Sequence, residues 1–182
     1  MTLKETKIQG LVVLEPKVFS DKRGYFMETF HQDYFKENVS NTVFIQDNES
    51  KSTKGVLRGL HFQLPPFEQA KLVRVIQGEV LDVAVDLRRN SSTYGQYQSI
   101  VLNEENKLQF FIPRGFAHGF VVLSDTAIFS YKVDNKYAPT YDSGIRWDDE
   151  TLNVDWRINS FLVQLSDKDQ GLSSFKDFSS PF

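Results

Sequence analysis

The sequence contains no cysteine. Disulfides, thiolate metal sites, iron–sulfur clusters and thiol nucleophiles are thereby excluded. Histidine is nearly as scarce, with only His31, His61 and His118 present. Side chains that titrate near neutrality are confined to those positions. No apolar run approaches the roughly 18–20 residues that a membrane span requires. The stretch from Met1 to Gly10 lacks the apolar core of a signal peptide. The expectation is a cytoplasmic protein with no membrane partner. Basic residues do not dominate either: 21 Lys and Arg stand against 24 Asp and Glu, a net charge of −3. The chain as a whole therefore carries no electrostatic footprint for nucleic acid. P-loop and GxGxxG motifs are absent, so a nucleotide would not be held by those devices.

What is present points to strands. A length of 182 residues suggests one domain, with 40% hydrophobic and 25% charged residues, the balance of a soluble globular chain. Aromatics reach 14%, with 16 Phe, which favours β-structure. Period-2 patterning recurs. Between Glu79 and Leu87, the apolar Leu81, Val83, Val85 and Leu87 share one parity, and Asp82, Ala84 and Asp86 share the other. Leu108, Phe110 and Ile112 alternate likewise until Pro113 stops the strand. Further strands are read at Val56–Phe62, Lys71–Ile76, Phe120–Leu123 and across Ala127, Phe129, Tyr131 and Val133. Gln77-Gly78 reads as a hairpin turn. Helix is expected only over Gln32–Val39 and in a short piece near the C-terminus. The Ser-rich stretch from Gly171 to Phe182 reads as a loose tail. The whole predicts an all-β sandwich or barrel. A jelly roll would close its sheets around a pocket suited to a small ligand.

Chemistry could reside in a few places. His61 lies within a predicted strand, His118 enters one, and His31 precedes the first helix; a strand histidine can equally be a satisfied structural residue. Arg23, Arg58, Lys71, Arg74 and Lys168 are interleaved with candidate pocket elements, and Arg forks suit phosphate oxygens. Lys71 opens a strand, so its parity could aim it inward or leave it solvated at an edge. Tyr131 shares a face with Phe129 and Val133, which fits a core tyrosine or a proton donor. Pro113, Gly115 and His118 resemble half of a cupin metal motif. The other half is missing its second histidine, because His61 is followed by Phe62 and Gln63. A transition metal prefers about three converging imidazole or carboxylate ligands, so no metal is expected.

Taken together in order, the motifs resemble the dTDP-4-dehydrorhamnose 3,5-epimerase family. They are Glu15 to Gly24, Gln46-Asp47-Asn48, Leu57 to Gln63, Lys71 to Val75, Asp82 to Arg88, Ile112 to Phe120, Ser130-Tyr131-Lys132, Ile145 to Asp149 and Leu165 to Asp169. The resemblance spans roughly residues 10 to 170 and implies a cupin-type β jelly roll with a few short helices over residues 1–182. It implies a homodimer, with the N-terminal segment shared with the partner, and no cofactor. The implied reaction inverts C3 and C5 of dTDP-4-dehydro-6-deoxy-D-glucose by proton abstraction next to the C4 ketone and reprotonation from the opposite face. By position, the resemblance makes His61 the base, Asp169 its orienting partner, Lys71 the stabiliser of the enolate oxygen and Tyr131 the proton donor. It assigns Arg23, Glu28, Gln46, Asn48, Arg58, His118, Asp142 and Lys168 to the sugar nucleotide, with Tyr137 stacked on the thymine. Two positions depart from the family pattern: Asp142 often reads Glu, and Lys136 replaces an aromatic. A single-centre epimerase, a ketoisomerase on a related dTDP-4-keto sugar, a metal-dependent cupin and a non-catalytic sugar-binding jelly roll are the competing readings.

Overall fold

The computed structural model describes residues 1–182. Two antiparallel sheets dominate. The six-stranded sheet runs in the order β1 (Thr2–Glu5), β2 (Val12–Glu15), β10 (Gln109–Ile112), β7 (Lys71–Gln77), β12 (Thr126–Val133) and β5 (Gln46–Thr53). The five-stranded sheet runs β13 (Asp142–Gly144), β6 (Leu57–Gln63), β11 (Phe116–Val122), β8 (Glu79–Asp86) and β9 (Tyr97–Asn103). Strands β3 (Val18–Asp21) and β4 (Gly24–Met27) pair only with each other. Helices are limited to α1 (Gln32–Asn38), α2 (Asp167–Gln170) and three short 3₁₀ turns. This is the all-β jelly-roll class that the strand patterning predicts.

The alternation of side chains explains how the sheets are assembled. Val73, Val75, Phe110, Ala127 and Phe129 of one sheet meet Val80, Ala84, Phe116, Phe120 and Val122 of the other in a shared core. The Phe120 and Phe129 rings stack with centroids 4.2 Å apart. Burying each such ring contributes about 1.5–3 kcal/mol. The opposite parity of β8 (Leu81, Val83, Val85) packs outward, beneath Trp156 and the C-terminal segment. A third cluster seats Phe35 of α1 on Leu72 and Phe111. His31 belongs to this helix rather than to a ligand site: its Nδ1 accepts from the Tyr34 amide at 3.3 Å as the N-cap.

Three readings from the sequence are corrected. Gln77-Gly78 is not a hairpin turn, because β7 and β8 lie in different sheets. Gly78, at φ +78°, turns the corner between them, and a Cβ there would meet Thr126 O at 2.0 Å. The stretch 171–182 is not loose. Phe178 and Phe182 pack on Phe62 with ring centroids at 5.0 and 5.8 Å, Ser180 Oγ donates to Leu87 O, and Arg89 N donates to Phe182 O at 2.9 Å. Serine-rich composition hid the aromatic anchors spaced along it. Finally, Arg74 lies on the parity of β7 opposite to Lys71, Val73 and Val75, in a separate hollow on the other face of the sheet with Leu72, Gln109 and Lys132.

Candidate active site

Two adjoining hollows open between the sheets. His61, Lys71, Tyr131 and Lys168 line both. The outer hollow adds Gln63, Glu68, Phe116, Tyr137, Asp142 and Phe182 to its walls. The inner one adds Ser50, Arg58, His118, Phe120 and Asp169. His61 hangs from β6 of the five-stranded sheet. Lys71 and Tyr131 come from β7 and β12 of the six-stranded sheet. Groups from opposite walls therefore converge on one cleft.

The position of His61 depends on glycine. His61 and His118 are Cα partners across β6 and β11, and the register shifts just beyond them. Gly59, at φ +110°, lies where these strands crowd, and a Cβ there would sit 2.5 Å from His118 O. Only glycine fits that approach. The Gly59 amide is also used: it donates to Asp169 Oδ1 at 3.1 Å.

Asp169 is the carboxylate that meets His61, with Nε2 and Oδ1 2.6 Å apart. Asp167 is in the same short helix. Ser166 caps that helix, accepting from the Asp169 amide, and its hydroxyl donates to Asp169 Oδ2 at 2.5 Å. Burial would push the Asp169 carboxyl up. The bonds from His61, Ser166 and the Gly59 amide outweigh burial and hold it down at about 2. An ionised Asp169 accepting from His61 Nε2 fixes the imidazole proton on that nitrogen. Nδ1 of His61 is buried and has no hydrogen-bond partner.

Lys71 makes no hydrogen bond or ion pair, and burial pushes its ammonium down to about 8, with Asp82 and Asp142 opposing that fall and Lys168 adding to it. It remains mostly cationic at neutral pH. Burial raises the Tyr131 phenol, with the Arg58 charge acting the other way, so it keeps its proton. His118 is pushed down by burial, against the pull of Asp82, whose Oδ2 lies 2.9 Å from its Nε2.

Around this centre, Asp142 Oδ2 receives the Tyr137 hydroxyl at 2.8 Å and the Lys168 ammonium. The aspartate is thus long enough to join both groups. The hydrogen bond to Asp142 raises the Tyr137 phenol. Lys136 turns its ammonium towards the Phe67 ring, at 5.4 Å. Arg58 bonds Ser52 Oγ at 3.1 and 3.3 Å. On β5, Gln46 and Asn48 bond each other at 2.8 Å, and Asn48 stands opposite Tyr131 in the ladder. They extend the Tyr131 face outward along the edge strand.

Arg23 and Glu28 are not brought to this cleft. Arg23 sits at the tip of the β3–β4 hairpin, paired with Asp21 at 2.6 Å, and Glu28 follows β4. That hairpin exposes Phe19 (53%), Tyr25 (55%) and Phe26 (69%). Nowhere do three or more His, Asp or Glu side chains converge as a metal would require. Asp82, fully buried and bonded to the site residue His118, is a residue that the sequence did not single out as functional.

The arrangement is an imidazole held by a carboxylate, a cation and a protonated phenol around one cavity, suited to moving a proton on a carbon acid. Comparison with known proteins agrees. Residues 5–177 match the family described as dTDP-4-dehydrorhamnose 3,5-epimerase. A dTDP-4-dehydrorhamnose 3,5-epimerase of Shigella flexneri is 52% identical over 178 residues, covering 97% of each chain. The solved structure of the enzyme of that name from Elizabethkingia anophelis NUHP1 superposes with a TM-score of 0.94 at 50% identity, covering 97% of each chain. The dTDP-6-deoxy-D-glucose-3,5-epimerase of Legionella pneumophila, solved with dTDP-4-keto-L-rhamnose, gives 0.94 at 45% identity, covering 98% of this chain and 94% of that one.

Proposed function

The chain belongs to the dTDP-4-dehydrorhamnose 3,5-epimerase family, and from that premise we propose how its own residues carry the reaction. The enzyme inverts C3 and C5 of dTDP-4-dehydro-6-deoxy-D-glucose, giving dTDP-4-dehydro-L-rhamnose. Both carbons flank the C4 ketone, so each proton is acidified by the same carbonyl. The His61 imidazole is the base that removes it. Asp169 orients the ring through its bond to Nε2 and stabilises the imidazolium that forms. Negative charge then collects on the C4 oxygen. Lys71 meets it, a contribution of roughly 3–4 kcal/mol for a preorganised donor in a shielded site. Tyr131 returns a proton to the other face of the carbon. Its burial keeps the phenol protonated until the carbanion demands that proton.

The observation that carries this reading is the placement of His61 and Tyr131 on opposite sheets, with Lys71 on the strand beside Tyr131, all three lining one cleft. Inversion needs chemistry on both faces of a carbon, and one side chain cannot serve both. Arg58, His118, Lys168, Asp142, Gln46 and Asn48 bind the sugar nucleotide around this centre, and Tyr137, more than half exposed at the rim, stacks on the base.

The same reading makes residues 1–182 one domain acting as a homodimer. An aromatic hairpin left standing in solvent is unfavourable for a lone chain. Covered by a second copy, it would carry Arg23 and Glu28 into the neighbour's cleft, and Arg23 would meet the pyrophosphate. A doubly charged pyrophosphate does not cross a bilayer unaided, so the cytoplasm that makes nucleotides is the proposed location. Sedimentation velocity on a Phe19→Ser/Phe26→Ser variant should show a monomer with weakened substrate binding; a fully active monomer would refute the shared site.

The decisive experiment is proton NMR of dTDP-4-dehydro-6-deoxy-D-glucose in D₂O with the wild type and with His61→Asn. Deuterium should enter at C3 and C5 with the wild type. The variant should still bind dTDP and should lose exchange by at least about 10²-fold. Retained exchange in the variant removes His61 as the base.

A further inference from the structure

Behind His61 lies a second histidine–carboxylate pair with a different character. Asp82 projects from β8 into the space between the sheets and is completely buried, and His118 on β11 is only 7% exposed. Asp82 Oδ2 accepts from His118 Nε2 at 2.9 Å. Asp82 Oδ1, equally buried, has no hydrogen-bond partner. A bare carboxylate oxygen in a protein interior is costly, and native structures keep such groups where a charge or a ligand compensates them. The Asp169 carboxylate shows the contrast: both its oxygens are bonded.

A cation without a partner stands nearby: Lys71. It lines the same inner hollow as His118, has no ion-pair partner of its own, and feels Asp82 as the strongest charge favouring its cationic form. The other charged or titratable groups around Lys71 are accounted for. Arg58 and His61 come from β6, Glu68 from the loop before β7, His118 from β11, Tyr131 from β12, Tyr137 from the loop after it, Asp142 from β13, and Lys168 and Asp169 from α2. Asp142 is engaged by Lys168 and Tyr137, and Asp169 by His61. Asp142 Oδ1 and the Glu68 carboxylate also lack partners, but Asp82 is the carboxylate whose unpartnered oxygen is fully buried.

We propose that Asp82 is a positioning residue with two duties: its Oδ2 fixes His118 as the Nε2–H tautomer, presenting Nδ1 to the cavity as an acceptor for a substrate hydroxyl, and its unpartnered Oδ1 supplies the negative charge that keeps Lys71 an ammonium ion. The inference rests on Lys71 as the partner of the C4 oxygen. It assigns to Asp82 the task of keeping that partner charged inside a cavity that would otherwise discharge it. Stacking of the His118 ring on Phe129 at 6.2 Å restrains the imidazole plane, so the Asp82 bond sets which nitrogen faces the sugar.

The test is the pH profile of kcat/KM in the full chain. The wild type should lose activity above about pH 8 as Lys71 deprotonates. Lys71→Arg, which stays charged, should abolish that limb and so identify it. Asp82→Asn, which keeps the shape and an acceptor for His118 Nε2, should shift the limb to lower pH by roughly 0.5–1 unit. A purely structural Asp82 would leave it in place. An unmoved limb in a folded Asp82→Asn protein overturns the proposal. Should that variant not fold, the wild type decides: long-range ¹H–¹⁵N spectra, with His118→Gln to assign the ring, should show the Nε2–H tautomer. The Nδ1–H tautomer overturns the proposal. Failure of the wild type to exchange substrate protons would instead strike the base assignment, and the His118 tautomer would still be read independently.

Discussion

Replacing Asp169 with Asn separates stability from chemistry in one variant. The Asp169 carboxyl lies at about 2 in the folded protein against an ordinary 3.8, because three donors converge on a side chain that is 5% exposed. A depressed carboxylate stabilises the fold above its unfolded value and loses that contribution as pH falls through its folded value. The window therefore runs from about pH 4 down to about pH 2. At 1.36 kcal/mol per unit, a displacement near two units is worth about 2 kcal/mol, to order of magnitude. Asparagine can still accept from the Gly59 amide and from His61, so the geometry should hold. Urea unfolding of both proteins at pH 7, 4, 3 and 2 is the assay. The wild type should lose about 2 kcal/mol more than Asp169→Asn between pH 4 and pH 2, and the two should run parallel above pH 5. Because every other carboxylate is common to both proteins, the difference isolates Asp169. At neutral pH the variant should lose roughly 10²–10⁴-fold in kcat, since the imidazolium formed during abstraction has no anion beside it. Parallel stability curves across the whole acid range would refute the convergence of donors as the source of the depressed carboxyl.

Lys71→Met should show the opposite balance. Folding depresses this ammonium from 10.5 to about 8, so the charged form is held at a cost below pH 8 that declines as pH rises towards 10.5. The variant should melt higher than the wild type at pH 7 by calorimetry, while kcat falls by about 10²–10³-fold; a lower melting temperature would contradict the burial argument. Gly59→Ala should lose both stability and activity, because its methyl would lie 2.5 Å from His118 O at a backbone angle of +110°. Backbone strain alone should cost about 1–3 kcal/mol in urea unfolding. Phe178→Ala and Phe182→Ala form a matched pair. Both rings pack on Phe62, yet only Phe182 lines the cleft. Both should lower stability, and only Phe182→Ala should raise KM; equal KM values would remove Phe182 from the cleft wall.

What the sequence made legible follows from which rule each element obeys. β7, β10 and β12 alternate because one parity meets the inter-sheet core, and β8 because Leu81, Val83 and Val85 pack on its other face, so their period-2 pattern is plain. The same parity placed Lys71 with Val73 and Val75, and Tyr131 with Phe129, on the inward face. β5 obeys another rule. Its residues opposite the inward-facing Val133, Tyr131, Phe129 and Ala127 are Gln46, Asn48, Ser50 and Ser52. These polar side chains line or extend the cavity in place of a dry core, and hydrophobic alternation cannot reveal a strand whose inner face is built for a ligand. The hairpin of β3 and β4 was missed for the reverse reason: its aromatics have no core partner within the chain, so nothing in the spacing distinguishes them from a loop.

The same reasoning separates the two carboxylates that matter most. Asp169 is reached through the family resemblance of the Leu165 to Asp169 motif, and the structure shows that motif to be a local unit: Ser166 caps a one-turn helix and so sets the direction of the carboxylate three residues on. Asp82 carries no local sign. In Leu81-Asp82-Val83-Ala84 it alternates with apolar residues, as a surface acid on a half-buried strand would. It is buried because both faces of β8 are covered, one by the inter-sheet core and one by the packed C-terminal segment. Part of that second cover, Phe175, Phe178 and Phe182, comes from residues whose composition suggested a loose tail. Misreading the tail as exposed thus also hides how completely β8 is enclosed. The burial that makes Asp82 unusual is a property of two distant segments together and is written in neither alone.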